Sequence, residues 1–264
     1  LGGKIHYHSK VIKILTENDS AKGILTAKGE EFLSDMVLSA ADGHSTLFGM
    51  LDGKYLTTQL SDFYQNKMTF PSYIQLSLGI KRELNELPGM IAFRFPEKIF
   101  VDEKTSTDTL TFRVFNYDTT LAPPGKTVIT SFIATYNHEY WHKLRTDDHR
   151  KYHEEKDRIA NTLIDILEEK YGNIRNNVEE VDVSTPATVI RYTNNWKGSM
   201  EGWVMTPEVG IKSIKKEIPG LANFFMAGQW VEPGGGLPAA LLSARNVVQI
   251  ICKKEGKKFQ TQHF

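Results

Sequence analysis

Asn223-Phe-Phe-Met-Ala-Gly-Gln-Trp-Val-Glu-Pro-Gly-Gly-Gly-Leu-Pro-Ala-Ala-Leu-Leu-Ser243 is the stretch on which the reading of this chain turns. A short apolar strand runs into a glycine-rich turn and then into a helix. Gly234, Gly235 and Gly236 leave the backbone without side chains that would hold a ligand away, and the first N–H groups of the following helix have no internal partners. An electron-rich group is the natural occupant of such a turn. Pro238 suits the first turn of the helix, where its missing N–H is not needed, and Leu241, Leu242, Val247, Val248, Ile250 and Ile251 continue it.

Gly234-x-Gly236-x-x-Ala239 matches the dinucleotide fingerprint letter by letter, but that fingerprint calls for a downstream strand and an acidic residue roughly 20 positions on. Only the lysine-rich stretch from Lys253 to Phe264 follows, so the segment does not open a Rossmann domain. It resembles instead the C-terminal signature of the phytoene dehydrogenase (carotenoid desaturase) type of flavoprotein, in which a strand leads to Gly and then to Pro-Gly-x-Gly-Leu-Pro. The resemblance implies that Gly228, Gln229, Gly234, Gly235, Gly236, Leu237 and Pro238 cover the isoalloxazine and ribityl part of FAD. The chain departs from the desaturase pattern Gly-Ala-x-Thr-His-Pro-Gly in having Gly228-Gln-Trp-Val-Glu-Pro-Gly234. The uncharged Gln229 also stands where the broader family often has Asp.

The resemblance extends in both directions. Gly2-Gly3-Lys4-Ile5, the strand Val11-Ile-Lys-Ile14 and the buried strand running from Asp35 into Ala40, Ala41 and Asp42-Gly43 resemble the part of such flavoproteins that passes the FAD adenine and reaches the cofactor. This implies cofactor contacts at Val11, Ala40 and Ala41. Thr185-Pro186, Arg191-Tyr192 and Asn195-Trp196-Lys197-Gly198 are similar to bacterial phytoene dehydrogenase-related proteins. Arg191, Tyr192, Trp196 and Trp230 are candidates for a substrate cavity, with structural packing the competing role. No N-terminal strand with a Gly-x-Gly-x-x-Gly loop and helix is present, so the ADP half of FAD has no seat. The chain is therefore expected to be a fragment that holds little or no flavin by itself.

The expected fold is α/β, with an α+β substrate part. It is the C-terminal portion of an FAD/NAD(P)-binding flavoprotein that lacks the dinucleotide-binding βαβ unit. Residues 1–54 and 211–264 form a partial FAD-binding domain, and 55–210 a substrate domain. Alternating polar and apolar residues over 72–80, 90–95, 109–115 and 127–135 predict an antiparallel sheet buried on one face. A strand is read from Lys4 to Leu15. Ile159, Leu163, Ile166 and Leu167 predict a helix between Asp147 and Tyr171 that ends at Gly172.

Composition narrows the function. The 264 residues are 40% hydrophobic, enough for a sizeable core, and 32 basic residues balance 32 acidic ones, which gives no electrostatic case for nucleic acid. The lysines at 212–216 and 253–258 read as solvated surface. Cys252 is the one cysteine, so no internal disulfide can form, which fits a reducing, cytoplasmic setting. No run reaches the roughly 18 apolar residues of a membrane span, and peripheral membrane contact stays open. The pairs His138/His142 and His149/His153 lack a third ligand, and His6-x-His8 reads as an exposed strand face, so no metal site is expected. There is no Gly-x-Ser-x-Gly elbow, and no catalytic acid or base stands out.

The leading expectation is an FAD-dependent oxidoreductase of the phytoene dehydrogenase, carotenoid isomerase and retinol saturase superfamily, acting on a hydrophobic isoprenoid, carotenoid or retinoid-like small molecule. A non-enzymatic isoprenoid-binding protein of GDP-dissociation-inhibitor-like architecture and an amine oxidase-like flavoenzyme are the alternatives. A sheet without its neighbouring strand is expected to expose apolar surface and to favour self-association.

Overall fold

The structure, a computed structural model, describes residues 2–210 and 213–261; Lys212 and the last three residues of the lysine-rich tail lie outside the described part. In chain order it contains β1 (Val11–Glu17), β2 (Ser20–Thr26), β3 (Glu31–Leu33), β4 (Val37–Ser39), α1 (Thr58–Asp62), β5 (Ser72–Ile80), β6 (Met90–Phe100), β7 (Ser106–Phe115), β8 (Thr127–Thr135), α2 (His138–Asp147), α3 (His149–Tyr171), β9 (Val178–Ser184), α4 (Pro186–Thr193), β10 (Phe224–Met226) and α5 (Gly236–Lys254). Two compact units result, one of residues 1–70 with 201–264 and one of 71–200. The expected boundaries at 54/55 and 210/211 thus give way to 70/71 and 200/201. Tyr55–Phe70 belongs to the first unit because its aromatic residues Tyr64 and Phe70 are buried there beside Trp230.

In the first unit β1, β2 and β3 form an antiparallel meander. The turn between β1 and β2 is Asn18-Asp19, both at positive φ (47° and 55°), the geometry a two-residue hairpin needs and one these two residue types tolerate. The expected strand starts later than Lys4: it begins at Val11, and Ile5 and Tyr7 are exposed. A separate parallel pair joins β4 to β10, with Phe224 opposite Val37 and Met226 opposite Ser39. All three residues of β10 are buried, as expected of a parallel strand covered on both faces. From α5, Val247 packs on Phe225 and Ala227, with Met36, Ile250 and Ile251 around them. Leu237 and Leu241 are 80% and 70% exposed, and Leu242 and Val248 extend this apolar face of α5.

The second unit is a five-stranded antiparallel sheet in the order β6-β7-β8-β5-β9. Strict alternation along β5 buries Ile74, Leu76, Leu78 and Ile80 in a core shared with Phe112, Ile129 and Leu163 and Leu167 of α3. The Asp148 carboxylate caps α3 by accepting from the Lys151 N–H at 3.0 Å, and Gly172 at φ 58° follows its end. The helix expected over 147–171 is joined by α2, which precedes it. Sequence reading also missed β9, an edge strand beside β5 whose Glu179 and Glu180 are exposed and hide the alternation.

Asp102, 4% exposed, ties β6, β8 and α2 together. It accepts from Asn137 Nδ2 (3.0 Å), Trp141 Nε1 (3.0 Å), Thr135 Oγ1 (3.3 Å) and the Lys104 and Thr105 N–H groups (2.9 and 2.8 Å). Burial alone would raise its pKa, but the donors from Asn137, Lys104, Trp141 and Thr105 outweigh it and hold the carboxyl below the usual range. A depressed folded-state pKa contributes stability above the unfolded value near about 4 and loses it as pH falls through the folded one. Asp102→Asn is therefore expected to lose about 1–3 kcal/mol at neutral pH. Its stability should also fall less steeply than that of the wild type in acid, as urea unfolding from neutral to acidic pH would show.

Candidate functional site

The site forms where β4 and β10 end side by side. The Ala227 N–H donates to the Ser39 carbonyl at 2.9 Å, and the chain then turns at Gly228 (φ 96°), where a Cβ would stand 3.7 Å from the Ala40 carbonyl. The Gly228 N–H donates to Ser243 Oγ at 2.7 Å, and that hydroxyl donates to the Ala240 carbonyl at 2.7 Å. The fully buried Ser243 thereby ties the turn to α5. Gly234, Gly235 and Gly236 all adopt positive φ (86°, 58° and 75°). Gly235, at ψ −167°, precedes α5 without a side-chain cap, and no acidic residue lies in the first turn. The helix terminus therefore keeps unsatisfied N–H donors and its positive end.

Three supports hold the turn. Glu232, in the middle of it and 8% exposed, pairs with Lys216 and accepts from Ser213 Oγ. The Ile214 N–H donates to the Val231 carbonyl at 3.0 Å, so the segment before β10 is laced to the turn. The segment from Glu201 to Val204 crosses on another side. The Gly234 N–H donates to the Trp203 carbonyl at 3.3 Å, and a Cβ at Gly202 would overlap the Gln229 carbonyl oxygen. A Cβ at Gly235 would fall 2.5–2.6 Å from Cδ, Cγ and Cβ of Glu201.

Behind the turn lies an aromatic layer. Trp230 is 1% exposed, with Tyr64 stacked at 6.5 Å and Phe70 edge-on at 5.8 Å. Trp203 meets Phe63 edge-on at 5.4 Å. Burial, and next the charge of Asp42, push the Tyr64 phenol well above its ordinary range. The indole N–H groups of Trp203 and Trp230 are buried with no hydrogen-bond partner among the described residues.

Of the residues singled out from the sequence, Ala40, Ala41, Gly228, Gln229, Gly234, Gly235, Gly236, Leu237 and Pro238 come together around this turn. Val11 lies in the other sheet, opposite Thr26. Trp230, for which a cavity border and core packing were the two readings, is 1% exposed and packs as core beneath the turn. Arg191, Tyr192 and Trp196 belong to the second unit, on and just after α4. There the Arg191 guanidinium lies 5.0 Å from the Tyr192 ring centre, and Lys197 Nζ lies 4.7 Å from that of Trp196. Sequence reading missed Glu201, Gly202, Lys216, Glu232 and Ser243. Only Glu232 left a signal, as a charge inside an apolar run. Among the described residues no group of three or more His, Cys, Asp or Glu could hold a metal ion, and no helix is long and apolar enough to cross a membrane.

A strand ending at small residues beside a parallel strand, a glycine turn and an uncapped helix form a cradle suited to an electron-rich group. The chain belongs to the flavin containing amine oxidoreductases, whose family profile it matches over residues 1–252. It is 23% identical over 248 residues to a chloroplastic prolycopene isomerase of Daucus carota (92% of this chain, 39% of that protein). It is 26% identical over 281 residues to a 4,4'-diapophytoene desaturase of Methylomonas sp. (98% and 51%). A zeta-carotene-forming phytoene desaturase of Myxococcus xanthus is 27% identical over 267 residues (94% and 48%). The chain thus spans about 40–50% of the length of these relatives. An oxidoreductase from Methanosarcina mazei shares the fold, with a TM-score of 0.58 at 16% identity, over 94% of this chain and 50% of that one.

Proposed function

We propose that this chain supplies the isoalloxazine side of the flavin site in an FAD-dependent oxidoreductase that acts on a long isoprenoid of carotenoid or retinoid type. The observation that carries the reading is the cradle itself: the β4–β10 pair delivers Ala40, Gly228 and the uncapped Gly234–Gly236 terminus of α5 to one place. The residues fit the cofactor. The three glycines at positive φ leave the backbone bare, and the helix terminus offers N–H donors to an electron-rich edge.

Bound FAD would supply two-electron transfer. The chain's own residues do the rest. Gly236, Leu237 and their neighbours at the start of α5 bind through backbone N–H groups. Ser243 and the Lys216–Glu232 pair hold the turn, and Trp203, Trp230 and Tyr64 exclude water beneath it. An apolar substrate accords with the second unit as well, where the sheet face turned away from the core shows Tyr73 and Phe132 in contact at 5.2 Å and an exposed Met90. Anaerobic addition of phytoene or a carotene to the flavin-loaded complete gene product should change the visible flavin band. A band that is bleached by amines and untouched by every isoprenoid would replace this reading with an amine oxidase.

A further inference from the structure

The geometry points to Glu201 as a charge that sets the redox balance of this cradle, resting on the flavin reading above. We propose that its carboxylate opposes the positive end of α5 and disfavours the reduced, negatively charged form of the cofactor.

The Glu201 side chain lies against the bare backbone of the glycine triplet. A Cβ on Gly235 would meet its Cγ and Cδ at 2.5 Å, and its Oε2 is 3.5 Å from where a Cβ of Gly236 would stand. The backbone that follows it fixes it there. On its C-terminal side the buried Gly202 sits on the Gln229 carbonyl and the Trp203 carbonyl accepts from the Gly234 N–H. The other charge of the turn, Glu232, is neutralised by Lys216, whereas Glu201 has no ion-pair partner among the described residues. The helix terminus carries roughly half a positive charge, and a carboxylate without a countercharge among the described residues offsets part of it.

The consequence follows from charge balance. FAD that takes up two electrons and one proton becomes an anion. An unpaired carboxylate on the cradle repels that form more than the neutral oxidised one, and so lowers the midpoint potential. The glycine at 235 then has a double reason: it admits a ligand on one side and Glu201 on the other. A cradle built this way favours giving electrons up over keeping them.

The test uses the complete gene product, purified with its flavin, and reads the midpoint potential against a reference dye for the wild type, Glu201→Gln, Glu201→Asp and Glu255→Gln. Glutamine keeps the shape of Glu201 and removes only its charge, so a packing role would leave the potential where it was. The expected result is a positive shift in Glu201→Gln, equivalent to reduced FAD gaining on the order of tenfold in affinity relative to oxidised FAD. Glu201→Asp should stay near the wild type, and Glu255→Gln, at the opposite end of α5, should not move. Equal potentials in the wild type and Glu201→Gln, with flavin present in both, would overturn the role of Glu201 alone. Absence of flavin from both proteins would overturn the flavin reading and this inference with it.

Discussion

Lys216→Met is expected to destabilise the protein by about 3–5 kcal/mol, because it strands the Glu232 carboxylate in a site where the two side chains are only 11% and 10% exposed. Among the described residues Glu232 would keep the donor Ser213 Oγ and lose its countercharge. The pair is not thereby a large source of net stability, since two charges were desolvated to make it. Lys216→Met combined with Glu232→Leu should therefore recover most of the loss. Urea unfolding of the four proteins of this cycle checks the prediction. A single variant within about 1 kcal/mol of the wild type would mean that water reaches Glu232 and that the turn is not fixed from this side.

Valine at Gly235 and at Gly236 should act by different routes. Gly235, at φ 58° and ψ −167°, occupies a region that is essentially glycine's alone, and a side chain there runs into Glu201. Strain of about 1–3 kcal/mol is expected from the backbone alone, with displacement of Glu201 added to it. At Gly236 the nearest atoms to an added Cβ are Glu201 Oε2 at 3.5 Å and Pro238 Cδ at 3.7 Å, so only the positive φ of 75° opposes the change. Gly236→Val should thus be the milder of the two in unfolding experiments, while still filling the space over the helix terminus with a branched side chain. Equal losses of stability would show that Glu201 does not rest on Gly235.

The cradle was legible because its parts are local. Strand, turn and helix follow one another within Asn223–Ser243, and glycine's freedom at φ above zero leaves few other uses for three in a row. The resemblance put 1–54 and 211–264 in one domain, but the pairing of β10 with β4 was not legible, since two three-residue strands carry too little pattern to specify a partner across the chain. The sheet of the second unit was plain in β5, β7 and β8, where alternation is strict, and hidden in β9, whose Glu179, Glu180 and Asp182 face solvent. Apart from the charge of Glu232 inside an apolar run, contacts that depend on tertiary folding left no trace in the sequence. Nothing in Glu201-Gly-Trp-Val204 says that it crosses the glycine turn, and a serine eight residues into an apolar helix gives no sign that it holds the Gly228 N–H. Trp230 stayed open between two roles because a tryptophan beside a ligand loop can border a cavity or fill the core, and only burial decides.

The most direct test of the cradle is the flavin content of the complete gene product after gel filtration, wild type beside Gly236→Val, read as visible flavin absorbance relative to protein absorbance with circular dichroism as the folding control. The account predicts stoichiometric FAD in the wild type, and in Gly236→Val a folded protein that has lost nearly all of it. Full flavin occupancy in a folded Gly236→Val protein would contradict the assignment of Gly234–Pro238 as the cofactor's seat.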